Sequence, residues 1–195
     1  MSRILVIDGH PNSQSLCAAL AEHYAERARA AGAQVEVLCL RDLAFDPVLR
    51  PGAGALPVLE PDLLRAQALI RDSGHICVVA PVWWGSVPAL LKGFFDRTLE
   101  KGWAYRYHAN GIPEGLLKGR RARVLMTTDS PGWYLRWLQG NPTANQLVHS
   151  TLKFCGLKPV TLSRFGPVHS STPALRQRWL VQAGEAGAAD ALALR

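Results

Sequence analysis

The stretch HICVVAPVWWGS, residues 75–86, decides the fold of this chain. Its first seven residues are almost all apolar, and such a run predicts a strand that is buried on both faces of a sheet. The aromatic residues and the glycine that follow predict a loop at the end of that strand. Residues 3–9, RILVIDG, and residues 123–128, RVLMTT, repeat the pattern of an apolar strand before a polar loop. The sequence therefore predicts a sheet whose central strands are covered on both sides.

Helical signals fill the segments between these strands. Ser15 is a predicted N-cap of a first helix that Gly32 ends, and Pro61 opens a second helix that stops near Gly74. Ser86 is a predicted N-cap of a third helix. The other predicted elements are a strand over 34–40, an irregular connection over 41–61, a loop over 103–119, a helix over 141–155, a strand over 159–165 and a helix from 173 that frays into the Gly- and Ala-rich tail.

Strands that alternate with helices predict right-handed βαβ units and a parallel sheet. Five such strands favour the doubly wound α/β order 2-1-3-4-5, and no internal repeat or linker divides residues 1–195, which we interpret as one domain. Sheets of this kind bind ligands at the carboxyl ends of the strands, where the order reverses between strands 1 and 3. The loops after strands 1, 3 and 4 are therefore the candidate site.

Composition limits the functional classes. Of 195 residues, 48% are hydrophobic and 19% are charged, which excludes a disordered or fibrous chain. No apolar run reaches the length of a membrane span, no signal peptide is predicted, and the four separated cysteines without a CxxC motif favour reduced thiols in the cytoplasm over a disulfide framework or a metal site. The formal net charge is +7, but the basic cluster at 118–123 is predicted to be a solvated loop, and no nucleic-acid partner is predicted.

The loop after strand 1 has the chemistry of a phosphate site. Backbone N–H groups and hydroxyl groups at the start of a helix, with the helix dipole, suit a phosphate. Neither the GxxxxGK[ST] motif nor the GxGxxG motif is present. An alternative stays open at this point, because Ser13 and Ser15 are also typical of simple helix N-caps.

The loops after strands 3 and 4 have the chemistry of a site for a flat aromatic ring. Trp83 and Trp84 offer flat surfaces beside exposed backbone, although one of the two indoles could instead fill the core. Residues 127–130, TTDS, can supply donors to the polar edge of such a ring. Asp129 is the exception, and we expect its carboxylate to point away or to cap the following turn, because it would oppose negative charge on a reduced ring.

The motifs GHPNSQSLC, PVWWGSVPALLKGFFDR, WAYRY, TTDSPGWY and FCG follow one another in order between roughly residues 3 and 168. In this order they resemble the flavodoxin-like NAD(P)H dehydrogenase (quinone) family, which includes DT-diaphorase. The resemblance implies a flavodoxin-like fold and an enzyme that passes two electrons as a hydride from NADH or NADPH, through a bound flavin, to a quinone or a similar small acceptor. Between the two flavins, FAD is slightly favoured over FMN.

The same resemblance assigns roles to individual residues. The residues that it places at the cofactor are His10, Gln14, Ser15, Leu16 and Cys17 at the phosphates, Pro81, Val82, Trp83, Trp84 and Gly85 at the ring, and Thr127, Thr128, Asp129 and Ser130 at its polar edge. Tyr134 is the implied catalytic residue, near N1 and O2 of the reduced flavin. The family forms homodimers with the active site at the interface, so Trp103, Tyr105 and Tyr107 would face the partner chain's flavin.

Two other functions remain open on the sequence. Some relatives are regulatory subunits of potassium-efflux systems, and flavodoxins proper are one-electron carriers. The carriers are expected to have acidic surfaces, whereas this chain is basic. No motif for a membrane partner can be read from the sequence.

Overall fold

The computed structural model describes residues 3–50 and 58–195. The strands of the chain, in order, are β1 (Arg3–Asp8), β2 (Gln34–Cys39), β3 (His75–Pro81), β4 (Tyr105–Tyr107), β5 (Pro113–Gly115), β6 (Arg121–Thr127) and β7 (Val160–Phe165). Five of them form one parallel sheet in the order β2–β1–β3–β6–β7. This is the order 2-1-3-4-5 once the short strands β4 and β5 are set aside, so the predicted doubly wound α/β fold is confirmed.

The helices are α1 (Leu16–Ala30), α2 (Pro61–Asp72), α3 (Ala89–Thr98), α4 (Pro142–Ala144, continued as a π-helix over Asn145–Lys153) and α5 (Pro173–Leu192). A 3₁₀ turn over Leu40–Asp42 follows β2, and a π-helical turn over Tyr134–Leu138 precedes α4. Part of the predicted irregular connection over 41–61 lies outside the described residues. Within the described residues, no helix is both long enough and apolar enough to cross a bilayer.

The core lies on both faces of the sheet. All seven residues of β3 are buried, which is what its continuous apolar run predicts. One hydrophobic cluster joins the sheet to α2, α3 and α4 through residues such as Leu63, Phe94 and Leu147. A second cluster joins the opposite face to α1 and α5 through Leu20 and Trp179. Because both faces are covered, the loops at the carboxyl ends of the strands are held by a rigid scaffold.

The sequence predicts a loop over residues 103–119, but in the structure this segment also contains the strands β4 and β5. Strands β4 and β5 pair antiparallel within this segment and form a small separate sheet. The Tyr105 ring packs against Phe154 with a centroid distance of 5.1 Å, which ties the small sheet to the end of α4. Strands of three residues carry too little alternating pattern to be recognised from the sequence.

The predicted fraying of the C-terminal helix is wrong. Helix α5 continues to Leu192 and packs along α1. A Cβ atom added to Gly187 would lie 2.2 Å from the carbonyl oxygen of Tyr24, so the small residue is what allows the two helices to come this close. The Tyr24 hydroxyl also donates to Asp190 Oδ2 at 2.8 Å. The Gly- and Ala-rich composition therefore reflects close helix packing.

Two further predictions need correction. Ser86 does not cap α3, because Pro88 is the N-cap residue and the Ser86 hydroxyl pairs with Gln146 Oε1 at 2.8 Å. The basic cluster at 118–123 is not only a solvated loop. Arg120 donates to two carbonyl groups at the end of α2, and Arg121 donates to a carbonyl group just beyond α5. These cations stabilise helix C-termini, where the helix dipole is negative.

Candidate active site

The loop after β1 is held by side chains that accept hydrogen bonds from alternate backbone N–H groups. Asp8 Oδ1 accepts from the His10 N–H at 3.1 Å, and His10 Nδ1 accepts from the Asn12 N–H at 2.9 Å. Asn12 Oδ1 in turn accepts from the Gln14 N–H at 2.9 Å. Each polar side chain therefore shapes the turn that follows it. The loop reaches the start of α1 in one defined conformation.

Ser15 is the N-cap of α1, as predicted, and its Oγ accepts from the Ala18 N–H at 3.1 Å. The N–H groups of Leu16 and Cys17 lie in the first helical turn, where an α-helix offers no internal acceptor. The Cys17 Sγ lies 3.3 Å from Thr127 Oγ1, and burial is the main cause that raises the pKa of this thiol to about 12. The helix start therefore presents two backbone donors and a neutral thiol.

His10 is held as a neutral imidazole. Burial is the largest influence on its pKa and lowers it from the ordinary value of 6.5, although the Asp8 carboxylate acts in the opposite direction. Because Nδ1 accepts from the Asn12 N–H, the proton of the neutral ring is on Nε2. The ring meets Trp83 edge to face, with a centroid distance of 5.5 Å and an interplanar angle of 76°. His10 thus connects the first loop to the second.

The tandem indoles of the second loop are separated by a tight turn. Trp83 and Ser86 exchange two backbone hydrogen bonds, each of 2.9 Å. The two residues between them have positive φ angles, 53° at Trp84 and 70° at Gly85, a conformation that is uncommon for a residue with a side chain. As a result Trp84 is fully exposed, whereas Trp83 keeps 43% of its surface exposed. The two indoles do not form one continuous flat surface.

The third loop begins with two buried threonines. Thr128 Oγ1 accepts from the Ser130 N–H at 3.1 Å. Asp129 Oδ1 accepts from the His169 N–H at 2.6 Å, so this carboxylate ties the loop after β6 to the loop after β7 and does not cap its own turn. The carboxylate that was expected to oppose negative charge on a bound ring therefore accepts a hydrogen bond from within the protein.

The three loops surround two neighbouring cavities. The first, of about 320 Å³, is lined by His10, Asn12, Ser15, Leu16, Cys17, Pro81, Val82, Trp83, Thr127, Thr128, Asp129 and Val168. The second, of about 560 Å³, is lined by Val82, Trp84, Gly85, Thr128, Asp129, Ser130, Gln139 and Pro142. Val82, Thr128 and Asp129 belong to both. Apart from Gln14 and Tyr134, the residues that the sequence predicted for the cofactor and its chemistry line one or both cavities.

Gln14 lines a third cavity of about 510 Å³, together with Asp8 and Arg41. Tyr134 begins the π-helical turn before α4, is 36% exposed, and has Trp133 as its ring neighbour at 6.0 Å. It does not line any of these three cavities.

The residues predicted to face a partner chain divide into two groups. Trp103 and Tyr105 are partly buried and pack against the hydrophobic core of their own chain. Tyr107 is half exposed, and its ring meets Tyr105 edge to face at 5.8 Å.

Sequence reasoning missed several residues that line these cavities. Asn12 lies in the loop after β1, which the sequence predicted to be part of the site, so its position alone could have identified it as a cavity residue. Val168, Gln139 and Pro142 come from segments beyond the three chosen loops. Arg41 follows β2, whose carboxyl end lies beside that of β1, and extending the strand-end rule to strand 2 would have found it.

Comparison with known proteins agrees with this geometry. A family model described as having a flavodoxin-like fold matches residues 2–185. The chain belongs to this flavodoxin-like family. An uncharacterized NAD(P)H oxidoreductase of Haemophilus influenzae is 30% identical over 173 residues, which are 85% of this chain and 84% of that protein. An FMN-dependent NADH:quinone oxidoreductase of Bordetella petrii is 30% identical over 183 residues, 85% of each chain.

A crystal structure within the same fold, that of Smu.1420 from Streptococcus mutans, is 26% identical and matches with a TM-score of 0.83. The match covers 96% of this chain and 99% of the other. The predicted membership of the flavodoxin-like NAD(P)H dehydrogenase (quinone) family and the prediction of an oxidoreductase are therefore confirmed.

Proposed function

We propose that the chain is a flavin-dependent NAD(P)H oxidoreductase that reduces quinones or similar small acceptors by two-electron transfer. The observation that carries this proposal is the meeting of three loops at the carboxyl ends of β1, β3 and β6, around two adjoining cavities. Leu16 and Cys17, with their backbone donors, and the Trp83 indole line the same smaller cavity. The relatives named as NAD(P)H oxidoreductases and quinone oxidoreductases support the same function.

The first loop fits the phosphate of a flavin nucleotide. The free N–H groups of Leu16 and Cys17 and the positive end of the α1 dipole favour a bound anion. The nearest buried carboxylate, that of Asp8, already accepts from the His10 N–H and from Arg41. No unpaired negative charge of the first loop would therefore oppose a phosphate at this helix start.

The second and third loops fit the ring system. Trp83 offers an aromatic surface next to Val82, and the buried hydroxyl-bearing side chains of Thr127 and Thr128 line the same cavity. A bound flavin supplies the redox chemistry by taking a hydride from the nicotinamide and passing two electrons to the acceptor. The protein binds and orients both substrates against that ring and excludes water from it.

We assign Tyr134 the role of stabilising negative charge on the reduced ring. Its hydroxyl can reach the ring only if the π-helical turn over Tyr134–Leu138 moves or a ligand extends toward it, because Tyr134 does not line the two cavities. In this proposal Tyr134→Phe slows flavin reduction by NAD(P)H about tenfold while the flavin stays bound, as expected for the loss of one hydrogen bond to charge. Rapid-mixing absorbance measurements give this rate of flavin reduction. If the rate is the same in Tyr134→Phe and in the wild type, Tyr134 has no part in the mechanism.

The proposed assembly is a homodimer with the site at its interface. Several large apolar side chains near the site are exposed in the single chain, including Trp84, Trp133, Trp137 and Leu138. Apolar patches that are left exposed commonly mark interaction surfaces. Tyr107 is then the aromatic residue of the β4–β5 hairpin that is most available to a partner chain. Sedimentation equilibrium distinguishes a dimer from a monomer.

FMN is the flavin named for the relative from Bordetella petrii, whereas the slight preference for FAD from the sequence stays a prediction. The 510 Å³ cavity beside Gln14 and Arg41 offers space next to the phosphate end. Either NADH or NADPH is the proposed donor.

Steady-state kinetics test the function. We expect NADH or NADPH to bleach the flavin absorbance anaerobically, and a water-soluble quinone to restore it. Varying both substrates should give the parallel lines of a ping-pong reaction, because donor and acceptor use the same ring face in turn. A folded, flavin-loaded protein that neither nicotinamide reduces would contradict the proposal.

A further inference from the structure

The Asp8–Arg41 ion pair lies next to the first loop, and the predicted site does not include it. Asp8 ends β1 and is almost fully buried, and its Oδ2 accepts from Arg41 Nη1 at 2.5 Å. Arg41 lies in the 3₁₀ turn after β2, and its side chain keeps 17% of its surface exposed. The pair therefore joins the carboxyl ends of two neighbouring strands. Because burying two charges has a large desolvation cost, a buried pair is weak evidence of a stabilising role alone.

Both backbone polar groups of His10 contact this ion pair. The His10 N–H donates to Asp8 Oδ1 at 3.1 Å, and the His10 carbonyl oxygen accepts from Arg41 Nη1 at 3.4 Å. The carboxylate and the guanidinium thus hold the same residue from its two sides. Removing the Arg41 side chain releases the contact to the His10 carbonyl oxygen and leaves the buried Asp8 carboxylate without its cation. An asparagine at position 8 can still accept from the His10 N–H, but it loses the charge that pairs with Arg41.

The fixed backbone of His10 in turn fixes its ring. Nδ1 accepts from the Asn12 N–H at 2.9 Å, which sets the orientation of the imidazole in the loop. The ring edge meets the Trp83 indole at a centroid distance of 5.5 Å. A continuous set of contacts therefore runs from Arg41 after β2, through Asp8 and His10 after β1, to Trp83 after β3. Both His10 and Trp83 line the 320 Å³ cavity.

We propose that Asp8 and Arg41 are positioning residues that hold the His10 imidazole and the Trp83 indole in the arrangement that binds the flavin. The inference rests on the proposed function for the identity of the ligand, but the positioning itself is a property of the protein without ligand. Neither residue lines the 320 Å³ cavity that His10 and Trp83 share, so the positioning does not require contact with the flavin ring.

Flavin affinity is the first measurement. The variants are Asp8→Asn, Arg41→Ala and Arg41→Lys in the full chain, and the readout is the Kd for FMN by fluorescence titration after bound flavin is removed. We expect Asp8→Asn and Arg41→Ala to raise the Kd about tenfold, which corresponds to about 1.4 kcal/mol. Arg41→Lys should recover part of the affinity, because an ammonium group can pair with Asp8 but lacks the second arm of a guanidinium group.

A second ion pair in the same chain provides a matched control. Arg97, 4% exposed at its side chain, donates from Nη2 to Glu60 Oε2 at 2.7 Å, and neither residue lines the site cavities. Glu60→Gln should lower the free energy of unfolding in urea while leaving the FMN Kd unchanged. If Arg41→Ala behaves in the same way as Glu60→Gln, the Asp8–Arg41 pair is structural only and the inference is overturned.

Nitrogen-15 NMR of the histidine rings, recorded without flavin, is the second measurement. The wild-type His10 should show a neutral ring with the proton on Nε2 and an accepted hydrogen bond at Nδ1. Arg41→Ala should shift these resonances toward averaged tautomer values, and Glu60→Gln should leave them in place. Unchanged His10 resonances in Arg41→Ala overturn the inference. If the wild-type chain binds no flavin, the proposed function is wrong. The comparison of His10 resonances between the wild type and Arg41→Ala still tests the positioning role in that case, because it is made without flavin.

Discussion

Trp83 is the side chain whose position depends on the turn after β3. It contacts the His10 ring edge to face and lines the smaller cavity, while its neighbour Trp84 is fully exposed. The sequence could show that two indoles follow a buried strand. It could not show that they would separate, because a positive φ angle at a tryptophan is uncommon and has no sequence signature.

Replacement of Trp83 tests its role at the ring. We expect Trp83→Ala to weaken flavin binding about tenfold, because one aromatic stacking contact contributes roughly 1 kcal/mol beyond burial of area. Trp83→Phe should lose less affinity. Val181→Ala is the control, since Val181 is an exposed apolar residue of α5 that does not line the site cavities. Equal losses of FMN affinity in the Trp83 and Val181 variants would show that Trp83 has no special position.

The first loop illustrates which site residues a sequence can predict. The strand-end rule found His10 and the start of α1, because the apolar run of β1 and the N-cap Ser15 are local signals. The Asp8–Arg41 pair was missed because it joins residues 33 positions apart in sequence. Such a pairing depends on the register of β1 against β2 and on the directions of the two side chains, which the predicted strand order does not give.

At the scale of elements, the contact between α1 and α5 depends on small residues. Gly187 allows the backbone of Tyr24 to come so close that an added Cβ would lie 2.2 Å from a carbonyl oxygen. From the sequence, the Gly- and Ala-rich composition predicts fraying, because composition alone does not tell which helix face is covered. The tertiary contact explains both the composition and the length of the helix.

Gly187→Ala should therefore lower the free energy of unfolding by about 1–3 kcal/mol, the range for an overpacked contact. Gly132→Ala is the control, since an added Cβ at Gly132 meets no atom within 4 Å. Urea unfolding followed by circular dichroism measures both. Equal stability of the two variants would mean that the helices can separate without cost.

Asp190 links α5 to the sheet. Its carboxylate accepts from Arg123 at 2.5 and 2.9 Å and from the Tyr24 hydroxyl, and His75 Nε2 lies 3.2 Å away. Burial alone raises the pKa of Asp190, but the hydrogen bonds from Arg123 and Tyr24 and the nearby His75 ring outweigh it and lower this pKa well below the ordinary 3.8. The folded chain therefore keeps Asp190 ionised at pH values where the unfolded chain would protonate it.

The pH dependence of stability follows from this shift. Above the unfolded-state pKa the contribution of Asp190 is complete, and it is lost as the pH falls through and below about 4, because the unfolded chain then binds the extra proton. Asp190→Asn should lower the free energy of unfolding by about 3–5 kcal/mol at pH 7 and remove this part of the acid dependence. Urea titrations between pH 3 and pH 7 compare the two proteins. Parallel pH profiles for the variant and the wild type would contradict this role.

For the whole molecule, the basic net charge has a structural use. Besides Arg120 and Arg121, Arg195 donates to the Ala31 carbonyl at the end of α1. Part of the excess positive charge thus stabilises helix ends. The candidate site lies elsewhere, at the carboxyl edge of the sheet.

The fold could be predicted from the sequence because alternating strands and helices allow few topologies. The β4–β5 hairpin could not, since its strands have only three residues each.

The central claim is that the loops after β1, β3 and β6 hold a flavin nucleotide, and its most direct test is to identify what the purified protein carries. Heat release of the bound chromophore, followed by mass spectrometry, should give FMN or FAD at about one equivalent per chain, and the Trp83→Ala protein should retain less. A wild-type protein that is folded by circular dichroism, colourless, and unable to bind added FMN or FAD would contradict the account.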